Sequence, residues 1–172
     1  MLRRVTIFLT TLTCMVAFLS ACKKDEPEPL QAEVRGKLLA GEPGQSKSWK
    51  LSNATGNINS GTNQVLTFDA CFLDNIYQFT NNSSQTYQCT EGASKCTSTD
   101  PDIVESGNWA FALDGSMVII LSNEATPNGL FSYYSLPFPA KVIELMDKSL
   151  KLRITFKDGT DAYQYEFDFV PV

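Results

Sequence analysis

From Ser48 to the C-terminus apolar and polar residues alternate, and turn-forming residues interrupt the alternation at short intervals. Strict period two places every second side chain on one face of a strand, so this part of the chain reads as an all-β sandwich or barrel. No stretch carries a sustained helical repeat. In "LKLRITF" the residues Leu150, Leu152, Ile154 and Phe156 share one face, with Lys151, Arg153 and Thr155 opposite. In "YQYEFDF" Tyr163, Tyr165, Phe167 and Phe169 share a face, with Gln164, Glu166 and Asp168 opposite. Asp158-Gly159 between them is a strong hairpin signal. Folding about that pair predicts Ile154 against Tyr163, Leu152 against Tyr165, Leu150 against Phe167 and Lys151 against Glu166.

A second Asp-Gly, Asp114-Gly115, joins "NWAFAL" to "SMVIIL" and predicts Trp109 opposite Ile120 and Phe111 opposite Val118. "NIYQFT" and "QTYQCT" flank Asn81-Asn82-Ser83-Ser84 as a third hairpin, and "SWKLS", "QVLTF", "LFSYYSL" and "KVIELM" supply further strands. About eight to ten strands in a domain of this size suit a small antiparallel meander that closes on itself.

The inward-facing aromatics are Tyr77, Phe79, Tyr87, Trp109, Phe111, Tyr163, Tyr165 and Phe167. They form either a filled core or a cup for one apolar ligand, since barrels near eight strands hold either. Tyrosine favours a pocket, because each buried hydroxyl needs a partner. Trp49, at the start of the first strand, reads as a plug for the barrel base.

The N-terminus sets the location. Met1-Leu2-Arg3-Arg4 precedes an apolar run from Val5 to Leu19, a secretory signal too short for a membrane span. Leu19-Ser20-Ala21-Cys22 follows and resembles the lipobox of bacterial lipoproteins, which implies cleavage before Cys22 and its acylation. One acyl chain anchors marginally, whereas two or more hold. Lys23-Lys24-Asp25-Glu26 is similar to the export tag of surface-exposed lipoproteins of Bacteroidetes. The implied location is the outer membrane, facing the exterior. Residues 1–21 are then a signal peptide and 22–47 an acylated, proline-containing tether, with the barrel at 48–172. Within the tether, "EVRGKLLAG" reads either as plain linker or as one or two helical turns, which in a barrel could lie across one end.

Charge and composition exclude much chemistry. The formal net charge is −5, and the mature chain would carry 12 basic and 19 acidic side chains, so a nucleic-acid partner has no electrostatic support. The chain has no histidine. That removes the commonest general base, the Ser-His and Cys-His pairs and most zinc sites. No catalytic residue, metal or cofactor is expected. Asp100, Asp102 and Glu105 lack the spacing of a calcium loop and read as a solvated loop. Asp69 and Asp74 are carboxylates without evidence that they face each other, and Asp74 suits a strand-entry turn.

"SWKLS", "CFLDNIYQFTNNSSQTYQCTEGASKC", "SGNWAF", "SMVIIL" and "VIELMDKSLKLRI" together look like the lipocalin-like lipoprotein domains of Bacteroidetes, over residues 46–170. The most specific part is Cys71-x-x-Asp74-Asn75-x-Tyr77-x-Phe79 with Lys95-Cys96. Ordinary lipocalins carry Gly-x-Trp on the first strand, whereas this chain has Lys47-Ser48-Trp49. The resemblance implies an antiparallel barrel with an apolar lumen and a Cys71–Cys96 disulfide, with Cys89 left as a small buried side chain; Cys89–Cys96 is the alternative pairing. The function expected is non-enzymatic binding of a small hydrophobic ligand in the lumen. The runner-up is an interaction module for glycan or envelope protein with a packed core, and an enzyme comes third.

Overall fold

A computed structural model describes residues 30–123, 130 and 139–172. Cys14, Cys22 and the rest of the signal and lipobox segment lie outside the described residues. So does the strand expected at "LFSYYSL", apart from the buried Leu130.

Among the described residues nine strands follow one another as β1 (Ser46–Ile58), β2 (Gln64–Val65), β3 (Ile76–Thr80), β4 (Thr86–Thr90), β5 (Ile103–Ala112), β6 (Met117–Ser122), β7 (Ala140–Met146), β8 (Ser149–Asp158) and β9 (Asp161–Pro171). From β3 to β9 each strand pairs antiparallel with the next, and β1 pairs with both β3 and β9. Eight strands thus close into an antiparallel barrel of the lipocalin-like kind, with β2 as an extra strand beside the far half of β1. Closure removes the unpaired sheet edges that an open meander would present.

The hairpins test the expected registers. Trp109 pairs with Ile120 and Phe111 with Val118, as the Asp114-Gly115 turn requires. The last hairpin differs by two residues: Leu150 pairs with Phe169, Leu152 with Phe167, Ile154 with Tyr165 and Phe156 with Tyr163. Its loop is Gly159-Thr160, with Asp158 opposite Asp161. A shift of two keeps both apolar faces inward, so alternation alone does not decide it. Charge pairing favours the observed register. It sets Lys151 against Asp168 (3.0 Å) and Arg153 against Glu166, whereas the expected one matches only Lys151 to an acid.

Two irregularities re-aim side chains. An extra residue at Ser52, between the pairs Leu51–Phe169 and Asn53–Asp168, switches the inward set of β1 from Trp49 and Leu51 to Ala54 and Gly56. A second, between Cys89–Glu105 and Thr90–Ile103, lets neighbouring Val104 and Glu105 both be buried.

The barrel has two unlike ends. At one lie the start of β1, the turns β3–β4, β5–β6 and β7–β8, and the end of β9. Helix α1 (Gln31–Ala40) crosses this end. Of the tether expected at 22–47, the described part forms α1 packed on the barrel, and β1 begins at Ser46. No side chain caps the helix N-terminus, so tertiary contacts hold it. Leu39 and Ala40 are buried, and Trp49 Nε1 donates to Leu39 O at 2.9 Å. Lys47 Nζ donates to Leu38 O and to Asp147 O, and lies 4.5 Å from the Trp49 ring centroid. Arg35 donates to Gly115 O at 2.8 Å, and Gly36 of the helix is buried over the Trp109 ring. Trp49, wholly buried, is the base plug that its position suggested.

A candidate binding site at the aromatic end of the barrel

Inward residues from all sides fill the half of the lumen next to α1. Tyr77, Phe79, Tyr87, Trp109 and Phe167 are each at most 2% exposed. Phe79 meets Tyr87 at 5.1 Å and Trp109 at 6.2 Å, and Tyr77 meets Phe169 edge-on at 5.3 Å between centroids. Edge-to-face contacts at these distances are favourable beyond their buried area.

A polar row crosses this apolar interior. Tyr77 pairs with Cys89 across β3–β4, and Cys89 pairs with Glu105 across β4–β5. Tyr87 OH donates to Glu105 Oε2 at 2.9 Å, and Glu105 is wholly buried. Burial, then the charges of Cys89 and Glu105, pushes both tyrosine hydroxyls well above their usual range. Burial also pushes the Cys89 thiol up, with Glu105 and Glu91 adding to it. Cys89 is the one free cysteine among the described residues, and a thiol held protonated is a poor nucleophile. Glu105 was expected in a solvated loop with Asp100 and Asp102, but it is an inward residue of β5. Its parity with Trp109 carried that signal. Asp102 does lie in the loop, paired with Lys95 at 2.6 Å, and Asp100 accepts from Thr97 N. No group of three metal-ligating side chains occurs among the described residues.

The opposite end is built differently. Here the β1–β3 connection carries β2 and the short helix α2 (Ala70–Leu73), and β4–β5 and β8–β9 turn back. Phe156, Tyr163 and Tyr165 face inward yet stay partly exposed. Phe156 stacks on Tyr163 at 5.1 Å and 13°, Tyr163 on Tyr165 at 6.4 Å and 21°, and Tyr165 leads on to Phe167 at 6.4 Å. This staircase of rings runs from the rim into the filled core. Beside it is a cavity of about 340 Å³ lined by Gly56, Ile58, Leu66 and Tyr165 together with Asn57, Gly61, Thr62 and Gln64. Gly56 makes room for the ring: a Cβ there would lie 2.7 Å from Tyr165 Cδ1.

The cysteine motif braces the same end. Cys71 of α2 is bonded to Cys96, with Cα atoms 5.1 Å apart. Asp74 accepts from Ser94 N at 2.9 Å, and Gly92 packs directly on Asp74, so the turn role suggested for Asp74 extends to holding the β4–β5 loop. Asp69 sits at the N-terminus of α2. With its amide nitrogen turned inward, Asn75 donates to Cys71 O and Glu91 Oε2, both at 3.2 Å.

The eight aromatics expected in the lumen therefore divide into three groups. Tyr77, Phe79, Tyr87, Trp109 and Phe167 form the filled core. Tyr163 and Tyr165 form the rim. Phe111 packs on Trp109 and lines a surface cavity beside α1 at the other end. Phe156, Leu66 and Glu105 join the interior although the expectation omitted them. Compared with known proteins, the chain matches no family model and no curated relative.

Proposed function

We propose that this chain is a non-enzymatic bacterial lipoprotein, anchored through acylated Cys22 on the exterior of the outer membrane, whose barrel binds a small hydrophobic ligand. The ligand site is the aromatic end of the lumen rather than its centre. The observation that carries this is the partly exposed staircase Phe156–Tyr163–Tyr165 beside a 340 Å³ cavity, in contrast to the buried Tyr77, Phe79, Tyr87, Trp109 and Phe167. That volume is at the lower end of the range for small-molecule sites, about 300 to 1,000 Å³. Flat stacked rings favour a planar apolar or aromatic ligand. The anchor rests on the lipobox-like Leu19-Ser20-Ala21-Cys22 after an apolar run.

Native mass spectrometry of the purified chain tests the site. A co-purified apolar small molecule, lost in a Tyr163→Ala/Tyr165→Ala variant that still folds, supports it. A chain that carries nothing and binds no apolar dye saturably counts against it. That second outcome would favour an interaction module with a packed core, a reading that draws on the filled inner half of the lumen.

A further inference from the structure

The end of the barrel closed by α1 bears most of the large apolar side chains that face solvent. Leu30 at the start of the helix is 73% exposed, Leu113 of the β5–β6 turn 71%, Met146 at the β7–β8 turn 60% and C-terminal Val172 75%, with Val34 and Ile143 less so. They belong to one end. Arg35 binds Gly115 O in the β5–β6 turn, Val34 and Asp147 line one cavity between α1 and the β7–β8 turn, and Val172 N donates to Ser48 O. Apolar tips set around a helix, with only open surface cavities between them, suit a lipid interface better than a protein knob.

The chain entering this end adds an independent constraint. Leu30 lies eight residues after Cys22, a span of at most about 28 Å when fully extended. Ten-residue strands such as β5 and β8, tilted as in a closed barrel, give a wall roughly 25 Å high. Turning the aromatic end toward the anchoring bilayer would stretch the connection along the whole wall. We infer that the α1 end rests on the phospholipid bilayer holding the anchor, with its exposed apolar side chains in the interface, so that the aromatic end points away. This rests on the anchor proposed at Cys22. Acidic Glu33, Glu42, Asp114, Glu144 and Asp147 match basic Arg35, Lys37, Lys47, Lys148 and Lys151 in number around this end, so apolar contact rather than charge holds the orientation.

The test uses the full acylated chain in vesicles of phosphatidylethanolamine and phosphatidylglycerol, 3:1, some carrying a bromolipid quencher. An environment-sensitive fluorescent residue is placed at position 113 in one sample and at 65 in another, Val65 being equally exposed at the opposite end. Flotation with the vesicles, and quenching at 113 at least about threefold stronger than at 65, is expected, with little change when salt is raised. Flotation with equal quenching, or stronger quenching at 65, overturns the orientation and leaves the anchor standing. Failure to float overturns the anchor and the orientation together.

Discussion

Replacing Gly56 with alanine adds one methyl group at the point where stability and the proposed site meet. The new Cβ would lie 2.7 Å from Cδ1 and 2.8 Å from Cε1 of Tyr165, and 3.4 Å from Leu66 Cδ2. Ordinary carbon contacts begin near 3.5 Å, so the ring must retreat by about 0.8 Å. It cannot do so alone, because Tyr165 stacks between Tyr163 and Phe167 and leans on Phe156. Overpacking of this kind costs about 1 to 3 kcal/mol. Each kcal/mol lowers the melting temperature of a domain this size by about 2 to 4 °C. Buried Trp49 and Trp109 report unfolding in urea by fluorescence, and a titration with an apolar dye reports the cavity. We expect a destabilisation in that range and dye binding weakened by about tenfold, as the displaced ring enters the cavity. A Gly56→Ala protein with unchanged stability and unchanged dye affinity would refute the packing of Tyr165 across β1.

Three further outcomes are expected. Reducing Cys71–Cys96, or replacing both with serine, frees a loop with a sequence separation of 25, and the chain-entropy relation puts the loss at about 3.5 kcal/mol in urea denaturation. Burial raises the folded-state pKa values of Tyr77, Tyr87 and Cys89 above the ordinary tyrosine and cysteine ranges, so the folded state holds protons that the unfolded state releases. Their contribution is complete below pH 9 and is lost as pH rises beyond it, by up to about 1.4 kcal/mol per pH unit for each group; Tyr87→Phe with Cys89→Ala should flatten that slope. Replacing Cys22 with serine should move the protein from the membrane fraction to the soluble one, and unchanged fractionation would contradict the anchor.

Alternation and turn chemistry made the barrel legible, because a strand with one face in a core has only one way to place its apolar set. The same alternation is blind to shifts of two, and so the β8–β9 register was legible only through its charges. Arg153 facing Glu166 was the clue that the Asp-Gly signal outweighed. Period two also fails where a strand bulges: nothing in "SWKLSNATG" marks Ser52 as the extra residue that turns Ala54 and Gly56 inward. Helix α1 was hinted at but not its extent, since its first turn lacks a capping side chain and its apolar residues do not gather on one face. Glu105 was hidden by its type, because a carboxylate near Asp100 and Asp102 suggests solvent, although its spacing from Trp109 placed it inside.

The division of the lumen has a mechanical consequence for the proposed binding. Phe79, Trp109, Trp49 and α1 close the inner half through ring contacts and the Trp49–Leu39 bond, so this half resists deformation. At the other end, Phe156, Tyr163 and Tyr165 stack on one another while keeping exposed surface, and the disulfide and Asp74 hold the neighbouring loop. A ligand placed there meets rings whose positions are already set by stacking, and it gives up little to order them. Substitutions in the inner half should therefore change stability and leave dye affinity nearly unaltered, because they are separated from the cavity by Phe167 and Tyr165. Substitutions of Tyr165, whose partly exposed ring lines the cavity, should weaken dye affinity instead.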